Sequence, residues 1–112
     1  MKKYKSSSKY LFKVLWSKTD IGIAINEIHQ ATMDVPLTSF YFWPREDGWK
    51  LLKAELDSKP WMEEQSKIEI LNGYTLIINN WLQNSNKNIN IIKPYTENIN
   101  INVDILAVHS IN

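Results

Sequence analysis

The chain has no cysteine. That absence excludes a disulfide framework, a thiolate metal site and a cysteine nucleophile together. Histidine is nearly missing as well. His29 and His109 lie in unrelated segments without metal-ligand spacing, and each reads as a surface or partly buried structural histidine. Glycine occurs three times, at 22, 48 and 73, and builds no phosphate-cradling loop. No serine stands in a nucleophile-elbow pattern. Glu63 and Glu64 are adjacent carboxylates, but successive helical positions point apart, and acids are expected near a helix start. The chain thus offers no positive case for an enzyme, a catalytic residue, a metal centre, a cofactor or a small-molecule substrate. Long apolar runs are also missing. The stretch 10–16 is broken by Lys13 and is too short for a signal-peptide core or a bilayer span, so no membrane partner is expected.

What is present amounts to one small domain of 112 residues. A chain of this length buries only about two-thirds of its unfolded surface, so its core is modest. The formal net charge is +1, which taken alone argues against a basic nucleic-acid coat. Splitting the chain changes that. Lys2, Lys3, Lys5, Lys9, Lys13 and Lys18 all precede the first acid, Asp20, giving +6 over residues 1–18; the remaining seven bases and twelve acids give −5. Twelve of the thirteen bases are lysine, and Asn and Ile are frequent, with 12 and 15 copies. Lys, Asn and Ile share A/T-rich codons, so this composition points to an A/T-rich genome, as in organelles and some microbes.

Residues 1–8 read as a flexible basic arm. In 9–16, Tyr10, Phe12, Val14 and Trp16 alternate with Lys9 and Lys13, the period-two pattern of a strand. The polar turn Ser17-Lys18-Thr19-Asp20 leads to a second alternation, Ile21, Ile23 and Ile25, so 9–28 predicts a β-hairpin. Gly22 and Ala24 leave its second strand a small-residue face for close packing. Residues 29–38 hold no strong period. Phe40-Tyr41-Phe42-Trp43 predicts a third, aromatic strand. Pro44 suits a first helical turn, and Trp49, Leu52 and Leu56 predict an amphipathic helix over 45–57. Ser66 to Glu69 fits a capping box, opening a second helix over 66–83. Ile68, Leu71, Thr75, Ile78 and Leu82 form its stripe, widened by Tyr74, Ile77 and Trp81. The expected body, 9–83, is therefore α+β: a small antiparallel sheet packed against two helices. Residues 84–112 hold eight Asn and seven Ile. They read either as a low-complexity, disordered tail or as a terminal β-hairpin, since 98–105 and 88–91 alternate and 93–97 could turn between them.

Aromatics and charge are the remaining features. Of the five tryptophans, 16, 43, 49 and 81 fall at apolar positions of predicted elements and Trp61 anchors the 60–65 connection or single turn, which together favour core packing. The Lys-rich arm reads equally as a solvated charge run and as a reach towards phosphates.

The ordered set Lys13 to Trp16, Asn26, Pro36-Leu37-Thr38, Tyr41 through Arg45-Glu46-Asp47-Gly48-Trp49, Leu56 through Pro60-Trp61, Ile70-Leu71-Asn72 and Ile78 to Trp81 resembles the plastid-specific ribosomal protein three family. That family comprises 30S small-subunit proteins of chloroplasts and cyanobacteria, and the resemblance spans about two-thirds of the chain. It marks Trp16, Trp43, Pro44, Asp47, Trp49, Pro60, Trp61 and Trp81 as motif residues. Gly48 departs from the family pattern, which favours alanine; glycine inside a helix costs roughly 1 kcal/mol. The 84–112 segment has no recognised counterpart. The resemblance implies a structural component of a plastid 30S subunit whose partners are 16S ribosomal RNA and neighbouring ribosomal proteins. The composition would fit plastid encoding, which needs no transit peptide. Expected RNA contacts are Lys2, Lys3, Lys5, Lys9, Arg45, Lys50, Lys53 and Lys59. The competing class is a protein–protein adaptor or assembly module that never touches RNA.

Overall fold

A computed structural model describes residues 9–30, 33–84 and 101–109. The elements run β1 (Tyr10–Ser17), β2 (Ile21–Gln30), β3 (Met33–Pro36), β4 (Tyr41–Trp43), α1 (Gly48–Asp57), α2 (Glu64–Asn84) and β5 (Asn102–His109). The expected hairpin forms with Tyr10 opposite Glu27 and Trp16 opposite Ile21. Its turn is closed by the Ser17 N–H donating to the Asp20 carbonyl at 3.1 Å, and the Asp20 N–H donates to Ser17 Oγ at 3.3 Å. Successive strand residues face opposite sides, so one register places Phe12, Val14, Trp16, Ile21, Ile23 and Ile25 on a single buried face.

The fold is α+β as expected, but its sheet is mixed rather than antiparallel. The strand order is β3-β2-β1-β5, with β4 also paired to β2. β5 lies parallel to β1, Leu11 opposite Asn102, with a register shift between Val14 and Leu15. Parallel pairing needs no local turn, so the 98–105 alternation reveals a strand but not its neighbour. The basic arm and the 88–91 half of the terminal hairpin lie outside the described residues. β3 forms although 29–38 hold no strong period, because it borrows its register from β2, Asn26 opposite Pro36.

The helices cover the isoleucine face. Leu52 and Leu56 of α1 and Ile70, Tyr74, Ile77 and Trp81 of α2 join the strand residues in one core. The α2 stripe is rotated from the sequence expectation: Ile68 and Leu82 are exposed, whereas Ile70 is buried. A helix apolar on several sides has no single readable face. At Gly73 a side-chain carbon would collide with the Phe12 ring, so glycine lets α2 lie close on β1. Trp81 Nε1 donates to the Ser17 carbonyl at 2.6 Å, fixing the far end of α2 over the hairpin turn.

Both helix starts differ from expectation. Pro44 follows a cis peptide bond in the turn after β4, outside the helix. α1 starts at Gly48 because Asp47 Oδ1 accepts from the Lys50 N–H at 3.1 Å, an N-cap bond. α2 starts at Glu64, ahead of the Ser66 box. The Glu63 carbonyl accepts from the Ser66 and Lys67 N–H groups at 3.1 and 3.2 Å. Ser66 therefore lies inside the helix, not at its cap.

Candidate nucleic-acid interface

The expected cations within the described residues come from several segments: the start of β1, the turn after β4, α1 and the stretch just after it. Lys9 is exposed just before β1. Arg45 is 61% exposed, with its guanidinium carbon 4.1 Å from the Phe42 ring centroid and Nε 3.4 Å from Asp20 Oδ2. Phe42 in turn lies flat against Gly22, where an added side-chain carbon would strike its ring. The ring thus holds a half-satisfied guanidinium at the surface, a geometry suited to a phosphate. Lys50 is exposed on the first turn of α1.

Two expected contacts are tied up internally. Lys53 Nζ donates to Asp57 Oδ2 at 2.7 Å. That bond raises the Lys53 pKa and, with the Lys53 charge, lowers that of Asp57. The Lys59 side chain is only 19% exposed and its Nζ lies 3.5 Å from Glu55 Oε2. Both pairs are i,i+4, a spacing visible in the sequence. Lys2, Lys3 and Lys5 lie outside the described residues.

The motif residues divide sharply. Around β4 they serve the fold. The Phe42 N–H donates to Glu46 Oε1 at 3.1 Å, Asp47 caps α1, and Tyr74 Oη donates to the Tyr41 carbonyl at 3.3 Å. Tyr41 Oη donates to Glu55, which also accepts the Ser39 N–H at 3.3 Å. Burial, then that carboxylate, pushes the Tyr41 phenol up to about 12. Burial pushes Tyr74 up as well. Trp16 and Trp81 are buried, as core packing requires, and Trp43 is half-buried. Trp49 and Trp61 correct the expectation. They are 37% and 63% exposed, because each stands on the outer side of its segment.

Trp61 borders a cleft of about 170 Å³ between Lys9 and Tyr10 of the β1 start, Glu27 of β2, and Met62, Glu63 and Ser66 at the entry to α2. Lys59 Nζ is 6.0 Å from the Trp61 ring centroid. The sequence reading missed this cleft, because its walls come from three segments distant in the chain. The signal available was a tryptophan directly after Pro60, in a connection rather than an element. Glu64 and Glu63 are both exposed, and His29 Nε2 sits 2.9 Å from Glu27 Oε1. Among the described residues no group of His, Asp and Glu is arranged to hold a metal ion, and no helix is long and apolar enough to cross a membrane.

Comparison with known proteins places these features in a family. Residues 37–85 match the model of the plastid and cyanobacterial ribosomal protein family (PSRP-3 / Ycf65). The small ribosomal subunit protein cS23 of Gracilaria tenuistipitata var. liui is 46% identical over 86 residues, covering 77% of this chain and 85% of the relative. A probable small ribosomal subunit protein cS23 of Synechococcus sp. is 46% identical over 80 residues, 71% of this chain and 79% of the relative. The cS23y protein of Arabidopsis thaliana is 42% identical over 73 residues, 65% of this chain and 40% of that longer relative. The matched region begins before β4 and ends just beyond α2, so it contains both tryptophan motifs and both helices. On these grounds the chain belongs to the plastid and cyanobacterial ribosomal protein family.

Proposed function

We propose that this protein is a structural, non-catalytic component of the small subunit of a plastid ribosome, held on 16S ribosomal RNA and on neighbouring ribosomal proteins. Family membership is the observation that carries the reading. The Lys/Asn/Ile-rich composition supports a plastid-encoded gene. Phosphate contacts fall to Lys2, Lys3 and Lys5 of the arm and to Lys9, Arg45 and Lys50. Lys53 and Lys59 contribute less, because each is already paired with a carboxylate of this chain. The outer side of α2 suits protein neighbours. Residues 70–84 carry no charge, and Leu76 and Leu82 are exposed there.

Binding to small-subunit RNA is expected to weaken with salt, because each phosphate contact releases a counterion. Deleting residues 1–8 should flatten that slope; an unchanged slope removes the arm from the interface. Sedimentation of a plastid lysate at moderate salt separates the ribosomal reading from the adaptor reading. The protein should travel with the small subunit, and recovery only in the soluble top fractions overturns the proposal.

A further inference from the structure

The cleft beside Trp61 has a chemistry that the fold does not use. Its volume of about 170 Å³ is several times the ~30 Å³ share of one water molecule, enough for one flat ring system. Trp61 is 63% exposed and offers a π-face at its rim. A ring left this far in water gains by stacking on another flat ring. The polar lining restricts which ring fits. An ionised carboxylate only accepts hydrogen bonds, so Glu63 calls for a ligand edge made of N–H donors. Glu63 makes no side-chain bond among the described residues, whereas Glu27 is turned to His29. Phosphate and carboxylate ligands are disfavoured by both acids.

RNA bases differ at this point. Guanine alone presents two adjacent donors, N1–H and N2–H, which match the two oxygens of one carboxylate. Uracil offers one donor between acceptors, and adenine and cytosine place an acceptor nitrogen beside the amine. Lys9, on the wall where the basic arm enters the body, supplies the cation for the attached phosphate. We propose that this cleft takes an unpaired guanine of RNA, stacked on Trp61 and held at its donor edge by Glu63. The inference rests on the RNA-binding reading above and adds to it a base-reading site.

The test uses the full chain bound to small-subunit RNA. One probe is a dicarbonyl reagent that modifies unpaired guanine at N1 and N2; the other is hydroxyl-radical cleavage of the backbone. The wild-type protein should protect a guanine within its backbone footprint. Trp61→Ala and Glu63→Gln should each restore that guanine's reactivity while the backbone footprint persists. Trp61→Phe should keep the protection. Trp61→Ala should also weaken binding about tenfold without changing the salt slope. Trp61 and Glu63 are exposed, so both variants should fold, checked by an unchanged far-UV circular dichroism melt. Guanine protection that survives Trp61→Ala overturns the site and leaves the RNA reading standing. No backbone footprint from the wild-type chain overturns both.

Discussion

The two tryptophan motifs that carry the family resemblance differ in how far the fold holds them. From Tyr41 to Trp49 nearly every side chain bonds or packs within the chain: Glu46 to the Phe42 N–H, Asp47 to the α1 start, Arg45 on the Phe42 ring, Gly48 beneath Tyr74. From Ser58 to Trp61 the tryptophan is the exception: Ser58 Oγ donates to the Glu55 carbonyl at 2.6 Å. Lys59 is folded back on Glu55, and the indole behind it faces solvent. A motif rich in rare residues therefore signals constraint without saying whether the constraint comes from inside or outside the protein. Burial makes that distinction.

The same truncation in the two settings gives the widest contrast. Trp81→Ala removes a buried ring and its bond to the Ser17 carbonyl, and should cost about 3–5 kcal/mol, read as a lowered urea midpoint. Gly48→Ala tests the first motif where propensity and packing disagree. Helix propensity predicts a gain of up to ~1 kcal/mol. The added carbon would instead collide with Tyr74 Oη and lie 2.6 Å from the Phe42 carbonyl oxygen, so a loss of about 1–3 kcal/mol is expected. Adding Tyr74→Phe should return part of that loss; full stability in the single variant would show that β4 and α2 yield easily.

A smaller effect is expected from Tyr41→Phe. The Tyr41 phenol is raised to about 12 in the folded chain against about 10 unfolded, so folding favours its protonated form. Its contribution is complete below about pH 10 and is lost as pH climbs towards 12. Between pH 9 and 11.5 the wild-type melting temperature should fall further than that of Tyr41→Phe; parallel curves would remove the Tyr41–Glu55 link from the account. Trp61→Ala closes the series. With the ring already in water, its stability change should stay within ~0.5 kcal/mol, and a larger loss would mean that the second motif also serves the fold.

Much of this architecture was legible because it is local. The β1–β2 hairpin follows from alternation and a polar turn, and α1 from its apolar spacing. Failures cluster where a neighbour distant in the chain decides. β5 was readable as a strand, yet its parallel partner was not. The buried side of α2 is not legible in the sequence because Ile68 and Leu82 are as apolar as Ile70 and Ile77. Pro44 fits a helix start by its ring geometry, but the cap at Asp47 sets the boundary. In the site, the pairing of Lys53 and Lys59 was available from their i,i+4 acids. The Trp61 cleft was not, since exposure is a property of packing.

The parallel β1–β5 pair also bears on how the chain is made. The Asn102 amide and the Tyr10 carbonyl that it reaches are 92 residues apart. At ~5–20 residues per second, a nascent β1 waits roughly 5–20 s for β5 to be synthesised. During that interval the hairpin and both helices can assemble, but one edge of the central strand has no β5 beside it. An unpaired strand edge invites pairing with other chains. The sheet is thus completed only once β5 has been made, after the hairpin and both helices, so the last strand closes an edge that the earlier elements leave open.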